Sequence, residues 1–217
     1  MKKDFININS IDLDRGLVAF YKLDGNAKDD SAYGNNGIVY GAVPDKDRFG
    51  RDNCSYRFNG VDNYVLIPES INLEMSHNDF SIAAWVNPSA VAIGRIFSKG
   101  SWWDEVSGYL FRASVTGTLF VSAIQVINSA SYEAVSLESH YRLSINQWSF
   151  IVVTVNRSSI ANIYINARLD NQQSINAGKY DLYSGIDATI GCAHFKDEFH
   201  EFFNHSFLLL PGVDSSD

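Results

Sequence analysis

The sequence predicts an all-β protein, a two-sheet antiparallel sandwich of jelly-roll type, and three observations predict it. Short runs of apolar, β-branched and aromatic residues recur along the chain, separated by turns rich in Gly and Asn. No segment holds a helical period long enough for a confident helix. The 217 residues, 46% of them hydrophobic, suffice for one domain of this class, which reaches roughly 200–250 residues undivided.

In chain order, residues 1–15 read as a polar N-terminal arm, and residues 16–204 as the domain itself. Gly16–Gly37 organises the domain. It opens as a strand (Leu17, Val18, Ala19, Phe20, Tyr21, Leu23) and breaks into a polar loop of Asp24, Asn26, Asp29, Asp30, Ser31, Asn35 and Asn36. Gly25, Gly34 and Gly37 give that loop its backbone freedom. Ile38–Tyr40 is a short strand, and 43–53 a charged, turn-rich connection. Tyr56–Phe58 and Tyr64–Ile67 flank Asn59-Gly60, which predicts a hairpin. Phe80–Val86 places Phe80, Ile82, Ala84 and Val86 on one face and Trp85 on the other. Pro88 ends it, because proline cannot donate to a ladder. Further strands are predicted at 95–98, 108–114, 118–126, 133–137, 149–155 and 161–165. Phe20, Tyr56, Phe58, Trp85, Phe97, Trp148 and Val153 are the expected core. Residues 205–217 form a divergent C-terminal segment, in which Phe207–Leu210 can still make a strand by hydrophobicity alone.

Several motifs carry a resemblance. Tyr21, Leu23 to Ala27, Asp29, Ser31, Gly34, Asn35 and Gly37 match "Y-x-L-D-G-N-A-x-D-x-S-x-x-G-N-x-G". Arg48-Phe49-Gly50 is followed by Tyr56–Val65, read Y-R-F-N-G-V-D-N-Y-V. Asp79–Pro88, Ile96–Gly100, Trp148 with Val152–Val155, Ile163–Asn166 and Ala188–Gly191 follow in order. The chain thereby resembles the laminin-G-like jelly rolls of the concanavalin A-like lectin/glucanase superfamily. The resemblance implies a non-catalytic module for carbohydrate or glycosylated surfaces, with calcium as a structural ion and an extracellular or cell-surface location. A protein–protein adhesion module is the first alternative and a glucanase-type hydrolase the second. The end departs from the pattern: where such proteins run "G-x-I-D-D-V-R-I-Y", this chain has His205–Val213 without the Asp-Asp pair.

Charge and composition exclude other classes. A net charge of −8 disfavours nucleic acid and anionic membrane surfaces. No apolar run approaches the ~20 residues of a membrane helix. Met1–Asn9 holds two lysines but no apolar core after them, unlike a secretory leader. The oligomeric state is not legible. Cys54 and Cys192 permit one disulfide, but so sparse a count favours two small buried thiols.

Two sites are candidates. Asp24, Asp29 and Asn35, with Asp62 from the neighbouring turn, supply the hard oxygens calcium prefers. The competing reading is a network of Asx turns that needs no metal. Trp102, Trp103 and Asp104, with Tyr109 nearby, offer aromatic faces and a carboxylate, as a sugar site does; the competing reading is a loop packed on the sheet rim. His194, Asp197, Glu198, His200, Glu201 and His205 cluster without a known metal-ligand spacing and read as a solvated charged segment. No E-x-D-x-E strand motif and no G-x-S-x-G elbow occur, so no catalytic residue is expected.

Overall fold

The computed structural model describes residues 14–90, 94–101, 106–114, 116–128, 131–176, 181–192 and 204–211. Among the described residues, fifteen strands make two antiparallel sheets packed face to face. The first sheet contains β1 (Ala19–Tyr21), β3 (Val43–Asp45), β4 (Ser55–Arg57), β6 (Phe80–Asn87), β11 (Ser149–Asn156), β12 (Ile160–Ile165), β13 (Arg168–Ser174) and β15 (Asn204–Pro211). Its order is β13-β12-β11-β6-β15-β4-β3, and β1 also pairs with β15. The second sheet runs β10-β9-β8-β7-β14-β5-β2. Its members are β2 (Ile38–Tyr40), β5 (Tyr64–Ile67), β7 (Gly94–Ser101), β8 (Val106–Ala113), β9 (Thr118–Asn128), β10 (Ser131–Arg142) and β14 (Ala188–Ile190). A 3₁₀ turn, Ile71–Leu73, is capped by the Ser70 hydroxyl.

Strand parity builds the core. In β6, Phe80, Ile82, Ala84 and Val86 are buried. In β11, so are Ile151, Val153 and Val155, and in β12 Ala161, Ile163 and Ile165. Alternate residues of one strand face one side, so these meet Val65, Ile67, Phe97, Phe111 and Ile190 of the second sheet in a single core. Of the expected core, Tyr56, Phe58, Phe97 and Val153 are buried. Phe20, Trp85 and Trp148 are only half-buried. For Phe20 and Trp85 the reason is parity: each neighbours buried residues on both sides of its own strand and therefore points outward.

The Asn59-Gly60 turn is not a hairpin. β4 lies in the first sheet and β5 in the second, so the turn carries the chain across the sandwich. The Asn59 side-chain oxygen accepts the amides of Val61, Asp62 and Asn63, and the Asn63 oxygen accepts Asn59 N–H. This closed Asx turn reverses the chain without leaving amides for a ladder. β13 was not expected, because R-L-D-N-Q-Q-S has no apolar alternation; it is an exposed edge strand. The 43–53 connection contains β3 and pairs it with β4.

Residues 204–211 belong to the sheet: β15 lies between β6 and β4, in register Ser206 to Trp85 and His205 to Tyr56. The strand expected at Phe207–Leu210 is therefore present and joins the first strand to the middle of the sheet. The arm over 1–13 and the segment 212–217 lie outside the described residues.

A buried ion pair locks one end of the sandwich. Lys99 Nζ sits 2.9 Å from Glu74 Oε1, both side chains being 1% exposed or less. Lys99 also donates to Ile186 O, and Glu74 accepts from Ser184 and from Gly185 N–H. Lys99 thus has two acceptors and both Glu74 oxygens have donors, the kind of hydrogen bonding that burial of a charge pair requires.

Candidate functional site

A groove of about 460 Å³ opens on the outer face of the first sheet. Its apolar lining is Phe20, Ala83, Ala84, Trp85 and Phe150, and its polar lining is Lys22, Asp24, Asp47, Arg48, Arg51 and Cys54. Register explains the aromatic part. Phe150 of β11 is paired with Trp85 of β6, and their rings stack with centroids 5.0 Å apart. Phe20 of β1 reaches the same face across β15.

The loop between β3 and β4 supplies the charged part, and Asp47 shapes it. Asp47 Oδ1 accepts the Phe49 and Arg51 amides. Its Oδ2 accepts Arg51 Nε at 2.8 Å and lies 2.6 Å from Arg51 Nη2. Gly50, at φ +77°, takes the left-handed position that closes this tight loop. Burial pushes the Asp47 carboxyl up, but the Arg51 and Phe49 hydrogen bonds more than reverse this and hold it below the usual carboxylate range.

The loop projects Arg48 onto the aromatics. Its guanidinium lies 4.4 Å from the Trp85 ring centre and 4.2 Å from that of Phe49, a cation–π arrangement. Lys22 is paired with Asp30 at 2.7 Å. The three cations of the lining face the carboxylates of Asp24 and Asp47 together with Asp30, the partner of Lys22.

The four residues expected around calcium form two separate hydrogen-bonded turns. Asp29 Oδ1 accepts Phe20 N–H and Ser31 N–H, and Oδ2 accepts Ser31 Oγ–H and Asn35 N–H. All four lone-pair positions of the carboxylate are thereby used. The Asn35 side-chain amide donates to Val18 O, and the Asn35 backbone carbonyl accepts the Tyr21 hydroxyl at 2.5 Å. Asp24 is exposed and accepts from the Asn26 amide. Asp62 accepts from the Asn59 and Asn63 amides in the turn beyond β4. Among the described residues, no group of three or more His, Cys, Asp or Glu side chains could share an ion. This donor set fits the Asx-turn reading and not a calcium held by Asp29.

Trp102, Trp103 and Asp104 lie outside the described residues, as does the 193–203 histidine and acid cluster. Tyr109 is not a ligand contact, which corrects the sequence-based expectation. It faces the core at 0% exposure, stacks on Phe97, and donates its hydroxyl to Leu73 O at 2.9 Å. Burial foremost, with the charge of Glu74 behind it, raises its pKa well above the ordinary phenol value. Cys54 and Cys192 are both free thiols. Burial pushes the Cys192 thiol up to about 12, whereas Cys54 is half-exposed on the groove lining.

Sequence reasoning missed Phe20, Arg48, Arg51, Trp85 and Phe150 as groove residues. One signal was available: Trp85 and Phe150 are out of phase with the buried positions of their own strands.

A sequence profile described as the concanavalin A-like lectin/glucanases superfamily matches residues 59–204. No curated protein matches the chain. Among solved structures, the binding domain of Paraclostridial Mosquitocidal Protein 1 superposes with a TM-score of 0.74 at 15% identity, over 91% of this chain and 49% of that one. The binding domain of botulinum neurotoxin serotype G gives 0.67 at 20% identity, over 89% and 47%. The binding domain of botulinum neurotoxin DC, solved in complex with SialylT, gives 0.64 at 15% identity, over 92% and 48%. This chain spans about half the length of those structures, and at these identities the likeness is one of fold.

Proposed function

The chain belongs to the concanavalin A-like lectin/glucanases superfamily, and on that premise we propose that it is a non-catalytic module binding carbohydrate or glycosylated surfaces. The observation that carries the reading is the outward groove in which the Trp85–Phe150 stack and Phe20 lie beside Arg48, Arg51 and Asp24. Sugars present C–H faces to aromatic surface and hydroxyls to charged groups, and this lining offers both. Support also comes from the neighbours of the fold, which are binding domains, one of them solved with SialylT.

The groove is poorly equipped for hydrolysis. Glycosidases flank the scissile bond with two carboxyl groups, one of them protonated as the acid. Here Asp47 is spent on the Arg51 pair and the loop amides and is held in its ionised form. That leaves Asp24 alone in the lining. Calcium has no step in this reading, since the loop that would hold it is closed by its own hydrogen bonds.

A specific observation favours the adhesion reading as second. Phe20, Ala83, Val152, Tyr164 and Leu169 form one cross-strand row over the outer face of the first sheet, running through β15. A protein partner would use such an apolar row. A glycan array distinguishes the two. Binding to defined glycans, lost in Trp85→Ala with the melting temperature retained, supports the carbohydrate reading. An array without signal, at protein concentrations up to the millimolar range, overturns it.

A further inference from the structure

We infer that the groove selects acidic sugars, with Arg48 receiving the carboxylate, an inference that rests on the carbohydrate reading above. Every other cation in the lining is committed. Lys22 is paired with Asp30, and Arg51 holds Asp47 through Nε and Nη2. Arg48 has no hydrogen bond or ion pair among the described residues; its contacts are the rings of Trp85 and Phe49.

This is an unusual use of an arginine. A guanidinium held over aromatic rings makes no hydrogen bond with a carbonyl or carboxylate there, and its N–H donors stay available. Contacts to two rings also restrict a side chain that is otherwise rich in rotamers, so less freedom is lost when a ligand is bound. An edge of fixed N–H donors matches a carboxylate with two parallel hydrogen bonds. Lys22 and Arg51 each have a carboxylate partner and Arg48 has none among the described residues, and a sugar carboxylate would supply one. The neighbouring Phe20 and the Trp85–Phe150 pair are placed to meet the pyranose ring that bears that carboxylate.

The chemical class is therefore a glycan with a uronic or sialic acid. A sulfate ester shares the charge but not the planar two-oxygen edge, and the probes separate the two. The experiment prints sialyl-, glucuronyl- and galacturonyl-terminated glycans, each beside its methyl ester, together with sulfated counterparts. The full chain is applied at 50 and 300 mM salt. The esters keep the ring and hydroxyls and lose only the charge. The expected result is a preference for at least one free acid over its ester of roughly tenfold, the range of a hydrogen bond to a charged group. High salt should reduce it. Arg48→Gln should abolish the preference, and Arg48→Lys should retain only part of it, because an ammonium keeps the charge without the fork. Arg48 is exposed, so both variants should melt with the parent protein.

Equal binding of acids and esters overturns the inference and leaves the carbohydrate reading standing. So does a preference that survives Arg48→Gln, and so does binding of sulfated glycans alone. Binding to none of the glycans overturns both.

Discussion

Asp29 shows how one side chain can look like a ligand and act as a clamp. Its carboxylate ties the first strand to the polar loop by accepting from Phe20, Ser31 and Asn35. Asp29→Asn replaces one acceptor oxygen by a donor and leaves N–H or O–H groups facing it. Buried donors without partners cost about 1–3 kcal/mol. For a domain of this size that lowers the melting temperature by roughly 2–12 °C. The fall should be the same in EDTA and in millimolar calcium, and the parent protein should melt equally in both. A calcium-dependent rise of the parent, blunted in Asp29→Asn, would restore the cation. The loop was legible in the sequence as an oxygen-rich turn with glycines at its bends. What the residue types do not encode is whether the oxygens meet an ion or the loop's own amides, since both uses select Asp, Asn and Ser. Tyr109 was misread for a related reason. It follows Gly108 and borders a polar segment, and only the pairing of β8 with β7 and β9 turns its ring inward.

At the scale of elements, the Lys99–Glu74 pair joins β7 to the turn after the 3₁₀ segment and to the 184–186 stretch. Removing one partner of a buried pair strands the other charge, which costs about 3–5 kcal/mol. Lys99→Met should therefore lower the urea midpoint substantially. Lys99→Met with Glu74→Leu should recover part of the loss, but not all, because Glu74 also accepts the Ser184 and Gly185 amides. A single Lys99→Met within error of the parent would show that the pair is not intact in solution. Most strands were readable from alternation: β11 and β12 place their buried residues at every second position, and β6 does so except for the additional buried Ala83. β13 was not, because both of its faces are polar. The Asn59-Gly60 turn was readable as a turn but not as a crossing between sheets. Local chemistry sets the reversal, whereas the sheet each strand joins is set by pairing with β14 and β15, more than 120 residues further along the chain. The groove shares this property: Phe20, Arg48, Trp85 and Phe150 come from four distant segments.

For the whole molecule, the decisive element is β15, whose chain departs from the resembling pattern and still completes the sheet. It pairs with β6 along Asn204–Pro211, with β1 through Phe207–Leu209, and with β4 at His205. A chain ending at residue 203 would lose all three ladders together. β6 would become an open edge with unpaired N–H and C=O groups, a template for association. β1 and the β3–β4 pair would keep no backbone link to the rest of their sheet, since their remaining partners are each other and the loop bridge from Tyr21 to Asp29. Phe20 and the Arg48 loop would separate from Trp85, so the groove would be lost with the fold. The truncated chain should therefore show a collapsed near-ultraviolet circular dichroism signal, loss of the cooperative melt, and aggregation on gel filtration. A chain ending at residue 211 should melt like the parent, which distinguishes the loss of β15 from the loss of the terminus. Pairing of β1 with β15 also closes a loop of nearly the whole chain, and such long-range contacts form slowly. Refolding from denaturant should accordingly be slow, with groove binding regained in the last phase. Cooperative folding of the chain ending at 203, with glycan binding intact, would mean that the first sheet closes without β15.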